Sequence, residues 1–210
     1  MRVKVCGITS YKDAVNALDQ GVDALGFNFY PSSPRYIDPS EACAVIRRLP
    51  PFVTTVGLFV NVARPQHLVL EARTAGVQML QLHGDESFEY CRHLAGWPVI
   101  KALRIGNAPL PQDIARYDVR AFLLDAKDDA LFGGTGRTFD WGRAEEIKRY
   151  GPIILAGGLT PANVAAAIRV VRPYAVDVCS GVESTPGKKD LTKLIAFMNE
   201  VRNASNAFET

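Results

Sequence analysis

Cys6 closes the apolar run Val3-Lys4-Val5 and is followed at once by Gly7, which leaves open space beside the thiol. A thiol so placed is either a reactive group or inert core filling. Asp125 closes Phe122-Leu123-Leu124 in the same manner and is either a working carboxylate or the cap of a loop. Gln81 and His83 end another run, where the imidazole is either a base or ligand or a satisfied strand-end side chain. Groups of these kinds can hold and move protons. Arg35, between Pro34 and Tyr36, reads by itself as a solvated loop cation.

Glycine-rich segments point to anion binding. Gly157-Gly158-Leu159-Thr160-Pro161 runs from an apolar segment into a helical pattern, and free backbone N–H groups at a helix start, with the helix dipole, favour negative charge. Ser180-Gly181-Val182-Glu183 offers further donors after the next apolar run. Ordinary tight turns are the alternative for both. Gly133-Gly134-Thr135-Gly136 follows Asp125 as a loop that suits a lid over a polar substrate. Two other patterns fail. Gly181 to Gly187-Lys188-Lys189 imitates a nucleotide phosphate loop, but the glycines are wrongly spaced and Lys189 stands where a hydroxyl should hold magnesium. His67, His83 and His93 have no metal-ligand spacing and no carboxylate cluster, so no metal is expected.

The elements that must position these residues alternate along the whole chain. Short runs rich in Val, Ile, Leu and Phe predict strands at Val3–Cys6, Ala24–Asn28, Thr54–Phe59, Met79–Leu82, Val99–Leu103, Ala121–Asp125, Ile153–Ala156 and Ala175–Val178. Helical patterns lie between them, with Ser10 before Tyr11–Gln20, Asp38-Pro39 before Ser40–Leu49, and Thr160-Pro161 before Ala162–Arg172. Eight strand–helix units without a linker predict an α/β fold, a single closed (β/α)8 TIM barrel over residues 1–203, followed by a polar tail from Ala204 to Thr210. In such a barrel the active site lies at the C-terminal ends of the strands, where all the candidates above fall.

Strand periodicity adds one expectation. If Cys6 points into the barrel mouth, Lys4 points into the interior below it. A buried ammonium needs a partner, and Asp177 on the strand that closes the barrel is the expected one.

The composition is that of one soluble domain, with 48% hydrophobic and 22% charged residues in 210. A net charge of +2 is too balanced for a non-specific nucleic-acid binder or a polybasic membrane anchor. The first residues lack the pattern of a secretory signal, and the longest uncharged stretch, Pro152–Ile168, is broken by glycine and proline. Four scattered cysteines without a C-x-x-C pair fit reduced thiols in the cytoplasm. A monomer is expected ahead of a homodimer.

Taken together, the motifs are similar to one family. Lys4-Val-Cys6-Gly-Ile-Thr9, Gly26-Phe-Asn-Phe-Tyr-Pro31, Ser33-Pro-Arg35-Tyr36 and Gln81-Leu-His-Gly84 occur in order. They are followed by Leu124-Asp125, Gly133-Gly-Thr-Gly136, Thr138-Phe-Asp-Trp141, Ala156-Gly-Gly-Leu159, Asp177-Val-Cys-Ser-Gly-Val-Glu183 and Pro186-Gly-Lys-Lys-Asp190. From about Arg2 to Asp190 the chain resembles the phosphoribosylanthranilate isomerases of tryptophan biosynthesis. A departure is Cys179, where that family often has Ser or Asn. The resemblance implies a cofactor-free Amadori rearrangement of a phosphosugar, N-(phosphoribosyl)anthranilate, to its aminoketose. It implies Asp125 as the acid at the ring oxygen and Cys6 as the base at C2′. It further implies Arg35 on the anthranilate carboxylate, Gln81 on substrate, and Gly157, Gly158, Ser180 and Gly181 around the phosphate. Lys4, Asp177 and His83 would stand behind these.

Overall fold

Eight strands in the computed structural model of the chain close into a parallel barrel in unbroken sequence order. Residues 1–104, 113–125 and 141–206 are described. The strands are β1 Arg2–Cys6, β2 Ala24–Asn28, β3 Thr54–Phe59, β4 Met79–Leu82, β5 Val99–Arg104, β6 Ala121–Asp125, β7 Ile153–Ala156 and β8 Ala175–Val178. Each matches an apolar run of the sequence to within a residue at either end. Closure comes from β1 lying against β8, with Lys4 opposite Asp177 and Val5 opposite Val178. The (β/α)8 barrel expected from the sequence is the fold.

Helices α1 Tyr11–Asp19, α2 Pro39–Ile46, α3 Pro65–Ala75, α4 Phe88–Arg92, α5 Trp141–Lys148, α6 Val164–Val171 and α7 Leu191–Asn206 cover the outside, and Ile114–Arg116 forms a single 3-10 turn. Their starts follow local chemistry. Ser10 Oγ accepts the Asp13 N–H at 3.1 Å, and Asp38 Oδ1 accepts the Ser40 N–H at 2.8 Å with Pro39 in the first turn. These bonds satisfy backbone donors that a helix start leaves open.

Alternation along the strands makes two apolar layers. Val56, Ile100, Ala102, Leu123 and Ile154 fill the barrel, whereas Val3, Val5, Leu25, Phe27, Phe122 and Val176 face the helices. The hydrophobic cores thus hold the strand ends in fixed places.

Three boundaries differ from the sequence reading. The pattern Ser40–Leu49 becomes a helix ending at Ile46, with the last residues in turns. Helix α6 begins at Val164, because Pro161–Asn163 form a turn and Asn163 Oδ1 takes the Thr160 N–H at 2.8 Å. Helix α7 continues through Asn206 with Ala204 fully buried, so the start of the polar tail belongs to the packed helix. The glycine-rich Gly133–Gly136 segment, read as a lid, lies outside the described residues. An unexpected hairpin, β9 Glu183–Thr185 with β10 Lys188–Lys189, follows β8 and turns at Gly187 with φ +80°.

Candidate active site

The floor is built by β1 and β8. Lys4 Nζ lies 3.0 Å from both carboxylate oxygens of Asp177, and the two side chains are 4% and 7% exposed. Burial pushes Asp177 up to about 7 despite the opposing pull of Lys4, and the charge of Cys6 adds to that rise. Lys4 itself is held above its ordinary range: burial draws it down, but Asp177 and Cys6 outweigh that. The two directions disagree about how firmly Asp177 is ionised. Two equal 3.0 Å contacts to the Lys4 ammonium favour the ionised pair, and the rise at Asp177 reflects first its burial and then the nearby charge of Cys6.

Cys6 is buried above this pair, facing the cavity. A hydrogen bond from the Cys179 thiol, with the Lys4 and Lys189 ammoniums, overcomes burial and holds Cys6 well below the ordinary thiol range. Cys179 moves the opposite way, upward, through its bond to Cys6 and through burial. One negative charge therefore resides in the pair, and Cys6 is where the surroundings place it.

The hairpin after β8 supplies the rest of this wall. Glu183 binds the Arg35 guanidinium at 2.9 and 3.1 Å to Nε and 2.7 Å to Nη2, and accepts from Lys189 Nζ at 2.9 Å. Burial alone would raise Glu183, yet Arg35 and Lys189 hold it down at about 2. Lys189 Nζ also lies 3.9 Å from Cys179 Sγ. The β2 loop that carries Arg35 is fixed by Ser33, whose Oγ accepts from Asn28 Nδ2 at 3.0 Å and from the Arg35 N–H at 3.1 Å. Arg35 Nη1 has no acceptor among the described residues, so its two N–H groups remain for a ligand.

Across the mouth, Asp125 Oδ2 is 3.0 Å from His83 Nε2, and His83 Nδ1 is 2.9 Å from Gln81 Nε2. If the Gln81 amide donates, His83 carries its proton on Nε2 and gives it to Asp125. Gln81 is fully buried, and its Oε1 has no partner among the described residues. A buried acceptor without a donor is costly, and Gln81 is among the residues that line the cavity.

The two glycine segments meet. Gly157 and Gly158 take φ +82° and +62°, a left-handed pair that turns the chain at the end of β7. A Cβ on Gly181 would stand 1.9 Å from the Leu159 carbonyl oxygen, so only glycine lets the β8 loop come this close. Since α6 starts at Val164, Gly157 and Gly158 lie in the loop ahead of the helix and not at the helix N-terminus that the sequence pointed to. Gly181 acts by letting the loops approach and is not on the cavity wall.

A cavity of about 370 Å³ joins these groups. Cys6, Arg35, Gln81, His83, Asp125, Gly157, Gly158, Asp177 and Ser180 line it, with Lys4 beneath. Sequence reasoning assigned no role to Glu183, Lys189 or Cys179. Lys189 sits in a run of charge that reads as solvated surface; the Pro186-Gly187 turn, which folds that run back onto β8, was the available signal.

Comparison with known proteins agrees with this fold. A family described as N-(5'-phosphoribosyl)anthranilate (PRA) isomerase matches residues 3–200. The chain is similar to the N-(5'-phosphoribosyl)anthranilate isomerase of Trichlorobacter lovleyi, 51% identical over 99% of each chain. Among solved structures it resembles the phosphoribosyl anthranilate isomerase of Thermotoga maritima, with a TM-score of 0.86 and 42% identity over 97% of this chain and 99% of that one. It also resembles a phosphoribosyl anthranilate isomerase in complex with reduced 1-(o-carboxyphenylamino)-1-deoxyribulose 5-phosphate, with a TM-score of 0.85 and 41% identity over 97% and 99% of the two chains.

Proposed function

The chain belongs to the N-(5'-phosphoribosyl)anthranilate isomerase family, and from that premise we propose how its own residues carry the reaction. The protein is an isomerase of tryptophan biosynthesis acting on a phosphosugar. Asp125 gives a proton to the ribose ring oxygen, the ring opens, and the C1′–N bond becomes an iminium. That cation acidifies the C2′ proton, which the Cys6 thiolate removes. The resulting enolamine tautomerises to the ketone. No net oxidation occurs: hydrogen leaves C2′ and returns at C1′.

One observation carries the assignment. Cys6 on β1 and Asp125 on β6 face the same cavity from different sides of the barrel, and Cys6 is held as the charged member of a thiol pair. A base and an acid on opposite sides of one small sugar is what this chemistry requires. His83 orients Asp125, and Gln81 Oε1 accepts from a substrate hydroxyl. The phosphate lies on the backbone amides around Gly157-Gly158 and Ser180, and Arg35 Nη1 meets the anthranilate carboxylate. We further place the protein in the cytoplasm as a monomer. The large apolar side chains left exposed, such as Phe52, Leu70 and Tyr174, are scattered through the chain.

The test is a fluorescence assay with freshly generated phosphoribosylanthranilate. Adding the protein, with no metal or nucleotide, should quench substrate emission at a rate proportional to protein. If emission persists until an authentic isomerase is added, the reading fails.

A further inference from the structure

We propose that Cys6 and Cys179 form an oxidation site at the barrel mouth, where a hydroperoxide converts the pair to a reversible intramolecular disulfide and thereby silences the enzyme. The register supplies the geometry. Val5 lies opposite Val178 in the β1–β8 pairing, and Cys6 and Cys179 are the next residues of each chain segment. Val5 and Val178 are ladder neighbours, and strands so paired run about 4.8 Å apart, within the range of about 4.4–6.8 Å between Cα atoms that a disulfide spans; Cys6 ends β1 and Cys179 begins the bend just past β8. The Cys179 sulfur leans over the end of β1, 3.1 Å from where a Cβ on Gly7 would stand. Both residues line the cavity that admits substrate, and the Cys179 thiol is the leading influence that lowers Cys6.

The surroundings suit each step. The Cys6 thiolate attacks one peroxide oxygen: an S–O bond forms, the O–O bond breaks, and the departing hydroxide takes a proton to become water. Sulfur has lost two electrons and the peroxide has gained them, leaving a sulfenic acid. Cys179 then attacks that sulfur: the S–S bond forms, the S–O bond breaks, and the leaving hydroxide departs with the Cys179 proton as a second water. Glu183 Oε1, 3.7 Å from Cys179 Sγ, accepts the thiol hydrogen bond and orients it, and Lys189 Nζ, 3.9 Å away, steadies the negative charge that develops on that sulfur. The other cysteines lack these conditions. Cys91 is pushed up to about 11 by burial, and Cys43 is half-buried on α2.

The experiment treats reduced protein with stoichiometric hydrogen peroxide and follows intact mass, linked peptides and turnover. The expected product is lighter by about 2 Da, contains a Cys6–Cys179 link, is inactive, and recovers with dithiothreitol. In Cys179→Ser no link can form, so with a second equivalent of peroxide Cys6 should proceed to the sulfinic acid, heavier by about 32 Da, and dithiothreitol should not rescue turnover. Peroxide that adds oxygen to the wild type, links other cysteines, or leaves both proteins equally recoverable overturns the proposal. The enzymatic consequence rests on Cys6 being the base, but the mass readout does not. A clean link with turnover intact would sink that assignment and the silencing, while identical masses before and after treatment would sink the oxidation site alone.

Discussion

Cys6 depends on neighbours that supply both charge and a proton. If it is the base and Asp125 the acid, Cys6→Ala and Asp125→Ala should each lower kcat by about 10²–10⁴-fold with KM little changed, since proton transfer acts in the transition state. Steady-state kinetics with more than about a tenth of turnover remaining would remove that residue from its role. The acidic limb of the pH–rate profile should lie below ordinary thiol values, because the lowered Cys6 keeps its charge as pH falls. Lys189→Met removes one of the charges that holds it there, so the limb should move toward alkaline pH. An unmoved limb would show that Lys189 serves only Glu183. Stability gives a second readout. Glu183 is held at about 2 in the folded chain against an ordinary 4.5. A depressed carboxylate contributes stability above its unfolded value and loses it as pH falls through the folded one. Between about pH 4.5 and 2, the wild type should therefore lose unfolding midpoint more steeply than Glu183→Gln, measured by thermal melts.

Among the elements, strands were the most legible part of the sequence. Runs such as Phe122-Leu123-Leu124 are apolar on both faces because one side meets the barrel interior and the other the helices, and Asp125 marks the point where burial ends. The Lys4–Asp177 pair was legible for the same reason: alternation sends Lys4 inward, and closure brings β8 alongside. Helix ends were less so. Asn163 bonding back to Thr160 competes with a helical start at Ala162, a local choice that apolar periodicity does not record. The hairpin bearing Lys189 was hidden because one anchor is distant in sequence: the Lys189 backbone N–H meets Asp13 Oδ2 at 3.2 Å, whereas nearby Glu183 is reached only because the chain turns back at Gly187. Close approach between the β7 and β8 loops makes a testable element of Gly181. Gly181→Ala must push Leu159 aside, at a cost of about 1–3 kcal/mol, and should raise KM with little change in kcat by spreading the amides. Unchanged KM would mean that the loops adjust freely.

For the molecule as a whole, stability and site share one seam. The barrel closes where β1 meets β8, and there Lys4, Asp177, Cys6 and Cys179 stand within a few residues of the loop amides assigned to phosphate. Lys4→Met and Asp177→Leu should each destabilise by about 3–5 kcal/mol, since each leaves a buried charge uncompensated, whereas the double variant recovers much of the loss. Simple additivity across the four unfolding midpoints would contradict the pair. An anion seated between the β7 and β8 loops, as proposed, would tie the same seam from above. It binds the folded chain alone, so inorganic phosphate at about a hundred times its Kd should add about 2.7 kcal/mol. For a chain of this length each kcal/mol moves the midpoint by about 2–4 °C, which predicts a rise of about 5–11 °C. Phosphate should also inhibit competitively, and Gly158→Asp, by placing a carboxylate on the cavity wall, should abolish both effects. Inhibition that is noncompetitive, or a midpoint in the Asp variant that still climbs with phosphate, would place the anion elsewhere than between these loops.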